Sequence, residues 1–466
     1  METFIAIWAS LSPGMIGASV GLIIDAKSPR GFMGRSQIAI STGGLAGYLA
    51  MAFLSYQGLR TGINPYTPLV ANSISILAAI LVLVALRAVR PFKLNQRFTV
   101  GVSMTGAAIL LFIGAAIYQH LLLPIQGWDV IDFWGRYAHW TLMEPDSLPQ
   151  STKPHPVTIV LVQAWSAWCA QAIGAPYMML VPWLFMTIIL GTGLYGYSLW
   201  ASQSRFFSLL LLYCFLTLPL LENHTLIAGY AELFLTATCV TSVIWLQLSL
   251  SKNSMVYAAI GLSTAPLALF IKNTGLFYCA VLIFPYITIL LYSRSRVLFL
   301  SLATAVVAAI FYFSISGFSI DYFGLGLSLY TDGGTWVLHA AGWGMPVVYN
   351  GLIDVIRNEI YSLFFNMSFG ITALLGIFIF LFLRKISELK FIFFIIFIIL
   401  LMLMASQFFF DYGFKHAVPT HDTGNSRLSL PLIAVLFLLI PHAFFVVVGG
   451  GGTGRPMRIV SKRPKV

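Results

Sequence analysis

Charge is scarce in this chain. Only 9% of the 466 residues are Asp, Glu, Lys or Arg, 59% are hydrophobic, and the mean hydropathy is +0.89. A water-soluble fold cannot hide that much apolar surface, so a soluble enzyme is excluded. Cysteine is scarce as well. Cys169, Cys214, Cys239 and Cys279 all fall within apolar runs, which excludes a disulfide framework or a cysteine-spaced metal site and leaves four small buried residues. No polar stretch is long enough for a soluble domain of useful size. No internal repeat is visible, which argues against an inverted-repeat transporter. The basic residues form no single patch, so nucleic acid is not a partner. Residues 1–24 lack a basic start and read as a first span rather than a cleavable leader.

What is present is a succession of apolar runs, each of roughly 20 residues, the length that crosses a bilayer. They lie near 4–24, 38–58, 68–86, 99–122, 157–174, 207–221, 226–249, 255–272, 275–293, 297–317, 360–383, 391–409 and 428–448. The stretch 177–200 is interrupted by Gly191-Thr192-Gly193 and reads as two half-depth helices that return to the side they left. The expected fold is therefore an all-α polytopic membrane protein with about 13 transmembrane helices plus a half-depth helix pair. Placing loops 25–37, 87–97, 201–206, 250–254, 294–296 and 384–390 and the tail from 449 in the cytoplasm puts 19 of the 26 Lys and Arg residues there. It leaves 13 of the 15 acids facing outward. That is the orientation favoured by the positive-inside rule, and it suits an anionic cytoplasmic leaflet of membrane lipids.

Three outward loops remain, 123–156, 318–359 and 410–427. The first carries Pro124, Pro145, Pro149, Pro154 and Pro156 and reads as short helices joined by turns. Residues 346–359 have the spacing of an amphipathic helix lying on the membrane surface. The chemistry gathers in the first loop, where Asp129 and Asp132 stand among Trp128, Trp134 and Trp140. A carboxylate beside a dry, Trp-lined pocket can act as a general base; a hydrated surface acid is the plain alternative. The tryptophans read either as ligand contacts or as an interfacial aromatic belt. Lys272, in Ala268-Leu269-Phe270-Ile271-Lys272-Asn273, is costly within a span and reads as a binder of phosphate or as a snorkelling side chain. Arg136 and Arg427 are alternative phosphate clamps. Glu222 and Glu232 can orient an acceptor, hold a divalent metal, or pair with Lys272. No cofactor is assured and no metal-ligand spacing is present.

Gly127-Trp128-Asp129, Phe133-Trp134, Arg136 and Ala138 resemble the first-loop signature of polyprenyl-phosphate-dependent glycosyltransferases of the GT-C superfamily. His155-Pro156 resembles that family's aromatic-or-His-Pro turn. Gly229-Tyr230-Ala231-Glu232 resembles its Gly-Tyr-Ala-Asp, with Glu for Asp, and Lys272-Asn273-Thr274-Gly275 its Lys-Asn-Glu-Gly, with Thr for Glu. Thr423-Gly424-Asn425-Ser426-Arg427 is similar to its late Ser/Thr-x-x-Arg. These motifs run in order through a catalytic core at 99–448, after an N-terminal three-span segment at 1–98 that the pattern does not explain and before a flexible basic tail at 449–466.

The resemblance implies a GT-C-like fold whose outer loops bear short amphipathic helices, in the plasma membrane of a bacterium or archaeon. It implies a polyprenyl-phosphate sugar donor, a lipid, glycan or protein hydroxyl as acceptor, and inversion at the anomeric carbon on the outer face. Asp129 falls on the catalytic base, with Asp132 and Glu232 as further catalytic carboxylates. Lys272, Arg427 and Arg136 would bind the donor phosphate, and Trp128, Trp134, His155, Tyr230 and Glu222 the substrates. The rival readings are a transporter or flippase for a lipid-linked or anionic substrate, and a glycan polymerase or ligase of another fold.

Overall fold

The computed structural model describes residues 2–27, 32–88, 100–122, 135–144, 156–171, 180–218, 221, 229–272, 274–322, 325–340, 343–357, 389–409 and 424–449. The chain is mostly helical. In order, α1 spans Glu2–Ala26, α2 Arg35–Arg60, α3 Pro68–Ala88, α4 Val100–Leu122, α5 Gly135–Met143, α6 Thr158–Gln171, α7 Val181–Ser202 and α8 Arg205–Leu216. Then come α9 at Ala231–Lys252, α10 at Met255–Thr264 with a 3-10 helix at Ala265–Phe270, α11 at Gly275–Arg294 and α12 at Arg296–Ser316. Four strands come next, and after them α13 at Lys390–Phe409, α14 at Gly424–Phe437 and α15 at Ile440–Gly449. Seven of the described helices, α1, α2, α3, α4, α7, α9 and α11, are long and apolar enough to cross a bilayer. The run expected at 360–383 lies outside the described residues.

Helix α9 is the axis of the bundle. Every residue from Ala231 to Ser249 is buried, which is where a helix apolar on all sides must go. It packs against α2, α7, α10, α11 and α14. By contrast α3 and α4 bury little and present Leu77, Ile80, Leu83, Leu110 and Leu111 outward, as lipid-facing helices do.

Helices α1 and α2 join the core through glycine. A Cβ on Gly17 would overlap the carbonyl oxygen of Gly43, and one on Gly43 would overlap that of Gly17, so the two backbones touch directly. Further in, Trp165 donates to the Ala9 carbonyl at 3.1 Å and Trp245 to Thr42 Oγ1 at 2.7 Å, tying both helices to α6 and α9. Gly17→Val should therefore destabilise by about 3 kcal/mol, since neither backbone can retreat. A thermal midpoint in detergent within a degree of wild type would contradict this packing.

Two expectations are corrected. The first is the half-depth pair at 177–200. Residues 181–202 form one continuous helix, α7, and its glycines are contact points rather than breaks. A Cβ at Gly191 would sit 2.8 Å from Leu212 Cδ1 on α8, and one at Gly193 2.6 Å from Ser41 Oγ on α2. The short member is α6, whose 14 residues reach about 21 Å against a bilayer core of about 30 Å.

The second correction concerns 318–346, expected within a loop bearing short helices. It is a four-stranded antiparallel meander in the order β1-β2-β3-β4, with strands Phe318–Tyr322, Leu325–Asp332, Thr335–Ala340 and Trp343–Pro346. Asp332 pairs with Thr335 across Gly333 and Gly334, at φ 56° and 84°, the left-handed pair that a two-residue hairpin turn requires. The first outer loop does contain a short helix, α5, as expected.

Contacts between elements define two ends of the bundle. At one, the start of α7 meets the start of α9 and the end of the 3-10 helix lies alongside. At the other, Phe32 packs on Trp200 and Tyr257, and Tyr197 bonds His442. These are called the Lys272 end and the Arg35 end.

Candidate functional site

At the Lys272 end, α9 begins after Gly229 and an extended Tyr230, both held at their carbonyls. Gln163 Nε2 donates to the Gly229 carbonyl at 3.1 Å, and Trp183 Nε1 donates to that of Tyr230 at 2.8 Å. The Trp183 ring then meets Phe234 edge to face, with centroids 5.2 Å apart. Gly229 takes φ 106°, which lets the chain turn sharply into the helix. Trp183→Phe keeps the ring contact but removes the side-chain hydrogen bond to the turn, so it should cost about 0.5–1.5 kcal/mol in a thermal melt. No loss would mean the Trp183 hydrogen bond does not hold this turn.

The turn places Glu232 in the first turn of α9, where the helix dipole favours an anion. Its side chain is 3% exposed. Lys272 Nζ lies 2.5 Å from Glu232 Oε1, with the Lys272 side chain 16% exposed. Lys272 reaches this point because α10 does not continue as an α-helix. Pro266, at the start of the 3-10 segment, lacks the N–H the α ladder needs, and the chain tightens into the 3-10 turn. It then doubles back. The Gly275 N–H donates to the Lys272 carbonyl at 2.8 Å, and a Cβ on Gly275 would overlap the Ala268 carbonyl oxygen. The lysine thus sits at the apex of a tight turn between the shorter apolar Met255–Phe270 segment and the membrane-length α11.

The surroundings are polar for a buried place. Tyr278, one turn into α11, lies within electrostatic reach of Glu232. Gln163 Oε1, Thr236 Oγ1 and Thr274 Oγ1 are buried without a hydrogen-bond partner among the described residues. In sequence, Thr236 is one helical turn from Glu232, Thr274 two residues from Lys272, and Gln163 is bonded to Gly229.

Of the residues singled out in the sequence, Tyr230, Glu232 and Lys272 come together here. Arg136 is on α5, exposed, with its guanidinium 5.6 Å from the centre of the Trp140 ring. Arg427 is in the first turn of α14, which packs on α9. Asp129, Asp132, Trp128, Trp134, His155 and Glu222 lie outside the described residues. Gln163, Trp183 and Tyr278 were not singled out in the sequence. An amide within an apolar run is a signal that could have marked Gln163. Among the described residues no three His, Cys, Asp or Glu side chains converge on a point that would hold a metal. In comparisons with known proteins, no family model, curated protein or solved structure matches the chain.

Proposed function

We propose that this chain is an inverting membrane glycosyltransferase, moving a sugar from a polyprenyl-phosphate donor to a hydroxyl of a lipid, glycan or protein. The observation that carries the reading is the position of the Lys272–Glu232 pair. Helix α9 has 22 residues, about 33 Å, so Glu232 at its start lies at one boundary of a bilayer about 30 Å thick. A cation there, held in place by a buried carboxylate, suits a substrate whose phosphate rides at the headgroup level on a lipid tail. One of the three Lys272 donors is taken by Glu232, and among the described residues the other two have no partner, which leaves them for phosphate oxygens.

In this reading the acceptor O–H gives its proton to the Asp129 carboxylate as its oxygen bonds to the anomeric carbon. The bond from that carbon to the phosphate oxygen breaks, and the phosphate leaves with the electron pair beside Lys272. Glu232 is a positioning residue for Lys272. The orphaned oxygens of Gln163, Thr236 and Thr274 offer hydrogen bonds to sugar hydroxyls. The Lys272 end faces outward, because Lys27, Arg35, Arg87, Arg205, Lys252, Arg296 and Lys390 lie toward the opposite end, which takes the cytoplasmic side.

One feature favours a transporter instead: a 3-10 break within a membrane-depth helix. Its charged pair would then be expected near the midplane rather than at a boundary.

The test is binding of polyprenyl phosphate to the purified protein and to Lys272→Met/Glu232→Gln. Loss of a charge-assisted contact worth about 1.5–3 kcal/mol weakens binding by about 10- to 150-fold. Equal affinity would remove Lys272 from the phosphate site.

A further inference from the structure

We propose that residues 348–356 form an interfacial anchor that seats the β meander on the bilayer leaflet at the Lys272 end. Its ligand is the lipid surface itself, and the inference is independent of the glycosyltransferase reading. The segment's depth is set by α13. That helix has 20 residues, about 30 Å, and begins at the Arg35 end, where Phe391 packs on Tyr286, itself bonded to Ser249 near the end of α9. Phe408 and Phe409 therefore lie at the opposite boundary of a bilayer core about 30 Å thick.

Residues 348–350 are fastened there. The Val348 N–H donates to the Phe409 carbonyl and the Asn350 N–H to that of Phe408, both at 2.9 Å, and the Tyr349 ring packs edge to face on both phenylalanines. Just upstream, the Val347 N–H donates to the Trp336 carbonyl at 2.7 Å, so the same strap continues into the sheet.

The helical turn after this strap faces the wrong way for water. Residues 352–357 are helical; Val355 is fully buried while Leu352, Ile353 and Ile356 point outward, with Ile353 81% exposed and Tyr349 70% exposed. The polar pair Asp354–Arg357, 2.7 Å apart, lies on the remaining side. An exposed cluster of large aliphatics beside a Tyr, at the depth of a membrane boundary, matches the headgroup–acyl interface. The expectation of a surface-lying amphipathic helix at 346–359 thus becomes a strap with a fixed depth.

Spin labels on the full-length protein in lipid nanodiscs decide the matter. Cys214, the exposed cysteine among the four, is first replaced by serine. Labels are placed singly by Ile353→Cys, by Leu111→Cys on lipid-facing α4, and by Gly344→Cys in β4, next to the Ala340–Trp343 pair at the meander end away from α12 and α13. Collision with oxygen and with a water-soluble nickel chelate is then measured. The anchor predicts an oxygen-to-nickel ratio at 353 severalfold above that at 344 and below that at 111, which lies at the middle of α4 and so nearer the bilayer centre. A nickel-rich label at 353 would mean the strap stands in water. A label at 353 shielded from both reagents would mean that a second copy of the chain, or another protein, covers it. Either result overturns the proposal, and Leu352→Cys repeats the reading if Ile353→Cys fails to assemble.

Discussion

Lys272→Met will lower stability by about 3–5 kcal/mol, and adding Glu232→Gln to it will return most of that loss. The asymmetry comes from burial. With Lys272 gone, a carboxylate 3% exposed loses the counter-charge 2.5 Å from it, which the dipole of the first α9 turn offsets only in part. With both residues neutral, no charge is stranded, and an amide beside a thioether of similar size fills the space. The two single variants and the double form a mutant cycle, read by thermal unfolding in one detergent. Additive losses in the double variant would show that the pair does not interact. On the proposed glycosyltransferase reading, activity should part company with stability: the restored double variant will still fail to turn over a phosphate-linked donor, because it lacks the cation proposed to meet the phosphate.

If Asp129 is the base that the proposed function makes it, Asp129→Asn will reduce turnover by about 10²- to 10⁴-fold, the range associated with losing a positioned proton acceptor. The amide matches the carboxylate in shape and cannot take the acceptor proton, so donor binding will persist. Asp132→Asn will act more weakly if it only supports Asp129. Rates of polyprenyl phosphate release, measured beside donor affinity for each variant, separate the two. Turnover equal to wild type in Asp129→Asn would move the base to Asp132 or Glu232.

Parts of this architecture were legible in the sequence for clear physical reasons. Residues 226–249 read as a span because the run is apolar and about 20 residues long, and the structure forms α9 there at Ala231–Lys252, buried from Ala231 to Ser249. Lys272 stood out because a lysine among Phe270, Ile271 and neighbouring apolar residues is costly in lipid. That Glu232 is its partner was one of three readings open for that residue, since 40 positions separate the two and only the 3-10 turn after Pro266 brings them together. Elsewhere local signals misled. Gly191 and Gly193 looked like a break because glycine lowers helix propensity, yet the contacts they permit with α2 and α8 outweigh that cost of about 1 kcal/mol each. The meander has a hairpin signal, Asp332-Gly333-Gly334-Thr335 between alternating residues, but the amphipathic stretch after it is the stronger pattern and masks it. Gln163 and Trp183 carry no motif, and only the fold shows them holding Gly229 and Tyr230.

The most direct measurement is product formation by the purified wild-type protein in nanodiscs, given polyprenyl-phosphate sugars and membrane-lipid acceptors. The account predicts release of free polyprenyl phosphate in step with glycosylation of the acceptor, and its loss in Asp129→Asn with donor still bound. Release of nothing from any donor, together with movement of the lipid-linked sugar across a sealed vesicle, would contradict it and establish a transporter.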